Sequence, residues 1–124
     1  MKPAALTAAL LLLAAPAWAQ PAPAFYVITY TAGPAWLAGK PMSQQALGPH
    51  AAYMKKLLAD GRMAAAGPTF NVDGGVVILK ADSLEAAQAI MAADPAVASG
   101  LFTGELRSWT PMFSSGEPLA PKKP

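Results

Sequence analysis

The chain has 124 residues, a formal net charge of +2 and no cysteine. This length suits a single domain, and so balanced a charge lacks the clustered basic surface that nucleic-acid binding needs. The absence of cysteine excludes a disulfide, a thiolate nucleophile, a thiolate metal site and a lipid-anchored N-terminus.

Residues 1–19 have the layout of a secretory signal peptide. Lys2 gives a positive start, the run Ala4–Ala15 is apolar, and Ala17-Trp18-Ala19 places small residues before the cleavage point. The apolar run is about 12 residues long, which is too short for the ~20 that a membrane-spanning helix needs. We therefore expect cleavage after Ala19, a periplasmic or secreted protein, and no membrane attachment of the mature chain.

The first strand is predicted over Phe25–Thr31, which is rich in aromatic and β-branched residues. It follows residues 20–24, a proline-rich stretch that is expected to be a linker. Alternation places Tyr26, Ile28 and Tyr30 on one face of the strand and the residues between them on the other. Because both faces are apolar, we expect this strand in the centre of the sheet.

A first helix is predicted between Ser43 and Asp60, with its main part starting at Gly48-Pro49, because proline suits the first helical position. Gly61 is expected to end it. The predicted buried stripe of this helix consists of Tyr53, Met54, Leu57 and Leu58.

Two further strands and a second helix follow. Arg62–Phe70 predicts a weaker strand that is interrupted at Gly67-Pro68, and an Asp-Gly turn leads to a strand over Val76–Lys80. Asp82-Ser83-Leu84-Glu85 is typical of a helix cap with a glutamate three residues on. The helix is predicted to end at Asp94-Pro95. Its inward residues are predicted to be Leu84, Ala87, Ile90 and Met91.

The last strand is predicted over Leu101–Met112, and residues 114–124 are predicted to be a disordered tail. The resulting order, β-α-β-β-α-β, predicts an α+β, ferredoxin-like domain over residues 25–113, with a four-stranded antiparallel sheet and both helices on one face. The other face of the sheet would remain apolar and uncovered. A second copy packing there would bury it, so we predict a homodimer.

His50 is the only histidine, and it lies in the first turn of the predicted helix. Its spacing to Tyr53 and Met54 directs it along the buried face. Burial and the positive end of the helix both favour the neutral imidazole, which can act as a general base. A partly buried histidine with a purely structural hydrogen bond is the alternative.

Asp94 is the candidate partner of His50. The sequence Asp94-Pro95 is also an ordinary helix start, with aspartate as the cap. If the two long helices run antiparallel, Asp94 and His50 would lie near each other. If they run parallel, as the split β-α-β topology suggests, the loop after Asp94 or a partner chain has to complete the pair.

Several residues are candidates for binding a small molecule. Gly67 and Pro68 would leave room beside the sheet, and Tyr26, Tyr53 and Trp109 could line a cleft, although aromatic residues at such spacing are usually core. Two arginines, Arg62 and Arg107, could hold an anion or could be solvated surface charges. One histidine with scattered carboxylates does not favour a metal site, and no cofactor is expected.

Together, short segments along the chain resemble the YCII-related (YciI-like) family, over Phe25 to about Phe113. They are Tyr26-Val27-Ile28, Gly48-Pro49-His50, Gly61-Arg62, Ala66-Gly67-Pro68, Gly75-Val76-Val77-Ile78, Ser83-Leu84-Glu85-Ala86-Ala87, Asp94-Pro95 and Ser99-Gly100-Leu101.

The resemblance implies a dimeric α+β barrel whose proposed active pair, a histidine and an aspartate, matches His50 and Asp94. The family has been likened to muconolactone isomerase, and one member is a dehydrochlorinase of a chlorinated hydroxyquinol. Members often carry Arg-Pro-x-His, whereas this chain has Leu47-Gly48-Pro49-His50. The resemblance therefore does not imply an anion-binding arginine beside His50.

Two main functional hypotheses follow. The first is a cofactor-independent isomerase or lyase, similar to a dehydrochlorinase, in which His50 moves a proton on a small cyclic or aromatic substrate and Asp94 orients it. The second is a non-catalytic dimeric module that binds a small ligand in the same cleft. A domain without a pocket is the third possibility.

Overall fold

A computed structural model describes residues 24–115 of the chain. The predicted signal peptide, residues 20–23 of the predicted linker and residues 116–124 of the predicted tail lie outside the described residues. The elements are β1 (Ala24–Ala32), α1 (Gly48–Ala59), β2 (Met63–Pro68), β3 (Gly74–Ala81), α2 (Leu84–Ala92), α3 (Pro95–Ala98) and β4 (Phe102–Trp109), with one 3-10 turn at Met42–Gln44.

The strands form one four-stranded sheet in the order β2-β3-β1-β4, and all neighbouring strands are antiparallel. This is the predicted ferredoxin-like arrangement, with β1 in the centre. Each of the two β-α-β units has its parallel strands separated by a strand of the other unit. The sequence alternation of β1 sets the faces, since Tyr26, Ile28 and Tyr30 are buried while Thr29 is exposed.

The core lies between the buried sheet face and the helices. Ile28 and Leu79 of the sheet pack in one cluster with Leu57 of α1 and with Ala87 and Ile90 of α2. Both long helices therefore cover the same face, as predicted. The opposite face carries apolar side chains that are only partly covered in this chain.

Helix α1 starts at Gly48 with Pro49 in its first turn, and Gly61 follows it with a φ of 72°. Both predictions are confirmed. Proline fits because its fixed φ suits a first turn whose N–H groups have no helical partner. Glycine fits because only a residue without Cβ adopts that positive φ without strain. The predicted stripe was too wide, since Leu57 is fully buried whereas Leu58 is 55% exposed.

Three local predictions need correction. The cap of α2 is Ser83, whose Oγ accepts from the Ala86 N–H, so the helix begins one residue later than the Asp82–Glu85 pattern indicated. Leu84, which was predicted to point inward, is exposed. The irregularity in β2 lies between Met63 and Ala65 and not at Gly67-Pro68. Pro68 is tolerated because β2 is an edge strand of the sheet.

Candidate active site

His50 is placed by the first turn of α1. The helix presents Leu47, His50, Ala51 and Met54 on one side, at a spacing of three or four residues. The imidazole is largely enclosed, with 17% of the side chain exposed. It is therefore neither a surface residue nor one that is sealed inside the core.

Asp94 caps α3, and its side chain is fully buried. Its Oδ1 accepts from the Ala96 N–H at 2.9 Å, and Pro95 occupies the first helical position. The ordinary explanation of the Asp-Pro pair is therefore correct. A cap alone does not require a buried carboxylate, however, because caps are commonly found at the surface.

The structure brings the two side chains together within one chain. Nδ1 of His50 lies 2.9 Å from Oδ1 and 2.8 Å from Oδ2 of Asp94. The sequence analysis left the directions of α1 and α2 open and favoured parallel helices. That preference is wrong. Because β1 and β3 are antiparallel, the helices that follow them run in opposite directions, so the start of α1 and the end of α2 share one end of the domain.

Tyr30 is the third member of this cluster. Its hydroxyl donates to Oδ2 of Asp94 at 2.8 Å, and the ring is buried on the helix side of β1. Gly104, opposite Tyr30 on β4, leaves space for the ring. A Cβ atom at Gly104 would lie 2.8 Å from the sulfur of Met91 and 3.4 Å from the Tyr30 ring.

The cluster favours an ionised Asp94 beside a phenol. Burial by itself would raise the pKa of Asp94, but hydrogen bonds from His50, the Ala96 amide and Tyr30 outweigh it and hold the pKa below its usual value. Burial, together with the hydrogen bond to Asp94, raises the pKa of Tyr30 far above its usual range. Tyr30 therefore remains protonated and acts as a donor.

This geometry sets the tautomer of His50. An ionised carboxylate only accepts hydrogen bonds, so Nδ1 must carry the proton, and the lone pair of a neutral ring lies on Nε2. In residues 24–115 no group forms a hydrogen bond with Nε2, and no buried side-chain nitrogen lacks a partner. Nε2 is therefore not sealed inside the core, and its lone pair makes no hydrogen bond within the described residues.

Aromatic residues fix the orientation of the imidazole. Tyr30 and Phe102 both meet it edge to face, with centroid distances of 5.6 and 5.4 Å. Phe102 is itself stacked between Tyr30 and Trp36. Because two stacked rings pack against the imidazole and Nδ1 is bonded to Asp94, His50 has little freedom to turn away from Asp94.

A cavity of about 410 Å³ opens beside His50. Such a volume lies within the range of small-molecule sites, about 300–1,000 Å³. The walls are mainly apolar and come from α1, the 3-10 turn and the strands. They consist of Tyr30, Met42, Ser43, Leu47, His50, Ala51, Met54, Ala66, Gly67, Pro68, Gly74, Gly75, Val76, Val77 and Phe102.

Comparison with known proteins gives a family match. Residues 24–110 match the YCII-related domain, which is most of the chain. The chain belongs to the YCII-related family. The resemblance seen in the sequence is thereby confirmed.

Two relatives extend this comparison. The YCII-related chain is 36% identical over 67 residues to the uncharacterised protein YjpA of Bacillus subtilis (strain 168), covering 54% of this chain and 79% of YjpA. A solved structure of 5-chloro-2-hydroxyhydroquinone dehydrochlorinase (TftG) from Burkholderia phenoliruptrix AC1100, in complex with 2,5-dihydroxybenzoquinone, superposes with a TM-score of 0.53. The identity is 22%, and the match covers 69% of this chain and 93% of TftG. At this identity the likeness supports the fold alone.

The YCII-related domain places only some of the predicted binding residues at the cavity. Gly67 and Pro68 line it together with His50. Tyr26 is buried in the core. Trp109 on β4 packs edge to face on Phe25, its partner on the neighbouring strand β1. Tyr53 donates its hydroxyl to the Ile90 carbonyl at 2.8 Å and lines a different cavity. The structure therefore does not bring these three aromatic residues to His50.

Sequence reasoning missed Tyr30 and Phe102 as members of the site. The alternation of β1 placed Tyr30 on the same face as Tyr26 and could have suggested it. Tyr30 is also the tyrosine nearer the C-terminal end of β1, from which the chain continues to α1 and His50. Phe102 gave no signal, because its contact with His50 depends on the register between β4 and β1.

In the described part of this YCII-related chain, no three His, Asp or Glu side chains are grouped so that they could hold a metal ion. The helices within residues 24–115 are all too short or too polar to cross a membrane.

Asp94 should make stability depend on pH. Because its pKa is lower in the folded chain than the unfolded value of about 3.9, ionised Asp94 stabilises the fold above that value, and this contribution is lost as the pH falls through the lower, folded-state pKa. We expect the free energy of unfolding to fall less between about pH 5 and pH 3 in Asp94→Asn than in the wild type. Urea titrations monitored by circular dichroism at each pH measure this.

Asp60→Asn is the matched control. The pKa of Asp60 is also lowered, by hydrogen bonds from Lys56 and Arg62, but these groups are exposed and screened by solvent. Asp60→Asn should retain most of the wild-type pH dependence. Equal slopes for the wild type and Asp94→Asn would contradict the assigned role of the buried carboxylate.

Proposed function

We propose that this YCII-related chain is a small-molecule enzyme in which His50 transfers a proton, without a cofactor. The observation that carries the proposal is an imidazole tied at Nδ1 to a buried carboxylate, with its ring in the wall of an apolar cavity. A positioned base of this kind can contribute about 10²–10⁴-fold to a rate.

The proposed step starts with neutral His50. Nε2 takes a proton from an O–H or an activated C–H of the bound substrate. In a lyase reaction, the electron pair left behind forms a new double bond and expels a leaving group. In an isomerase reaction, the pair shifts within the substrate, which is then protonated at another atom. Nε2 finally returns its proton to the substrate or passes it to water. Asp94 stabilises the imidazolium that exists between these events.

The walls of the cavity favour an uncharged or weakly charged ring compound. Among the described residues that line it, no side chain except His50 can carry a positive charge, and none carries a carboxylate. The hydroxyl groups of Ser43 and Tyr30 are the other polar side chains there. Apolar side chains such as Leu47, Met54 and Phe102 suit the faces of a ring.

The structural neighbour supports this class of substrate. TftG is a dehydrochlorinase of a chlorinated hydroxyhydroquinone, and its structure contains 2,5-dihydroxybenzoquinone. Both compounds are small oxygenated rings. We propose a ring compound of this type for the YCII-related chain, acted on by a lyase or isomerase reaction.

We further propose that the active form is a homodimer outside the cytoplasm. The signal-peptide layout of residues 1–19 supports the location. The uncovered sheet face supports the dimer, because Val27, Val76 and Ile78 leave apolar surface there that a second copy would bury.

His50→Asn tests the catalytic role. The asparagine amide can still donate to Asp94, but it has no basic nitrogen. Chloride release from 5-chloro-2-hydroxyhydroquinone should fall by about 10²–10⁴-fold, while 2,5-dihydroxybenzoquinone should still bind in a calorimetric titration. If the wild type and His50→Asn both bind 2,5-dihydroxybenzoquinone but neither releases chloride, the non-catalytic module would be favoured. Unchanged turnover in His50→Asn would contradict the proposal.

Ala51→Leu tests the position of the substrate. Ala51 lines the cavity, whereas Ala52, its neighbour in α1, is equally exposed and does not. Leucine at position 51 should fill part of the cavity and weaken binding of 2,5-dihydroxybenzoquinone by about tenfold or more, since each 1.4 kcal/mol is a factor of ten. Ala52→Leu should bind as the wild type does. Equal affinities of the two variants would place the ligand elsewhere.

Ile78→Glu tests the dimer. A charge in the middle of the uncovered face should separate the copies, because burying it without a partner is costly. Light scattering coupled to size-exclusion chromatography should show a wild-type dimer at micromolar concentration and an Ile78→Glu monomer. Lys55→Glu, on the exposed side of α1, should remain dimeric. A monomeric wild type would refute the dimer.

A further inference from the structure

A second cavity, of about 540 Å³, is lined in part by Tyr53. It is a groove between the end of α1, the end of β3 and one side of α2, and we call it the α2 groove. It shares no residue with the cavity at His50. The proposed reaction uses none of its side chains. Its lining consists of Tyr53, Gly61, Arg62, Lys80, Ala81, Asp82, Ala86, Ala89, Ile90 and Ala93.

One wall of the α2 groove is apolar and shallow. Helix α2 contributes Ala86, Ala89, Ile90 and Ala93, which share one side of the helix. Three of the four are alanines, so the wall leaves room for a flat or slender apolar group. Tyr53 also lines the groove, and its hydroxyl donates to the Ile90 carbonyl at 2.8 Å.

The positive charge in the groove comes from Arg62. Arg62 and Lys56 both bind the same oxygen of Asp60, at 3.1 and 2.7 Å, so two cations share one carboxylate. Burial raises the pKa of Tyr53, and the charge of Arg62 partly offsets this. Arg62 and Tyr53 both line the groove, so the guanidinium and the phenol border the same space.

The remaining charges limit what the α2 groove can bind. Asp82 lines it and would repel an anion with two charges, such as phosphate. Lys80 contributes to the lining, but its register with Phe25 assigns its side chain to the opposite face of the sheet. One guanidinium offers one planar set of N–H donors, which suits a ligand with a single carboxylate.

The second arginine that the sequence singled out provides a comparison. Arg107 pairs one to one with Glu105 on β4, and its side chain is 73% exposed. It belongs to neither the α2 groove nor the cavity at His50. The structure therefore separates the two candidates, because only Arg62 lies beside an apolar wall and shares its carboxylate partner with a second cation.

We propose that the α2 groove binds a small organic monocarboxylate with an apolar or aromatic body. The carboxylate would accept hydrogen bonds from the Arg62 guanidinium, which matches its planar shape. The body would lie along Ala86, Ala89 and Ala93. An exposed pair such as Arg62–Asp60 is weak because solvent screens it, so a ligand that also buries apolar surface can compete with Asp60. The site does not depend on the function proposed for His50.

Titration with 3-phenylpropionate, followed by calorimetry and by 15N–1H NMR shifts of the whole chain, tests the site. Saturable binding should shift the resonances of Arg62 and α2. Arg62→Gln should weaken binding by about tenfold or more, since it removes the charged hydrogen-bond donors of the carboxylate. Arg107→Gln should leave it unchanged. The neutral 3-phenylpropanamide should bind more weakly than the acid.

Two more variants refine the test. Ala89→Leu should weaken binding because it fills the groove, whereas Ala92→Leu, at an exposed position outside it, should not. Asp82→Asn should tighten binding by removing the repulsion. Three results would overturn the proposal. They are the absence of saturable binding, NMR shifts confined to residues of the His50 cavity, and equal affinities of the Arg62→Gln and Arg107→Gln variants. Weaker binding by Asp82→Asn would also overturn it, because it would indicate a zwitterionic ligand.

Discussion

The buried carboxylate of Asp94 is the contact on which the site depends. It accepts hydrogen bonds from His50 on α1, from Tyr30 on β1 and from the Ala96 amide at the start of α3. One side chain therefore connects both layers of the domain. A buried charge is costly unless its hydrogen bonds are satisfied, and here three donors from three elements satisfy it. The same contacts align the imidazole, so structural and chemical roles coincide in one residue.

The antiparallel sheet makes this meeting possible. Because β1 and β3 run in opposite directions, α1 begins where α2 ends, and the short α3 turns Asp94 toward His50. Two of the spaces around the helices differ in their chemistry. One lies beside His50 and is almost uncharged, and the other, the α2 groove, contains the Arg62 guanidinium and the Asp82 carboxylate. Tyr53 on α1 lines the second space only, and its hydroxyl ties α1 to the Ile90 carbonyl of α2.

The sequence predicts the fold well, because its signals are local. Alternation in β1, Pro49 at the start of α1 and Gly61 after it each determine the backbone within a few residues. The site was only half predictable. His50 and Asp94 could be named from their types and from the family resemblance. The antiparallel helices that bring them together follow from the predicted strand order, although the sequence analysis favoured parallel helices. Tyr30, Phe102 and the different surroundings of Arg62 and Arg107 depend on strand register, which lies beyond local patterns.

The most direct test of the account is the protonation of the two imidazole nitrogens of His50. Since His50 is the only histidine, 15N-histidine labelling gives an unambiguous NMR signal. At the pH of the activity assay, we expect a protonated Nδ1 coupled to its hydrogen and an unprotonated Nε2. Tyr30→Phe should weaken this preference, and Asp94→Asn should weaken it more. A proton on Nε2, or on both nitrogens, would show that the ring has no free base and would contradict the account.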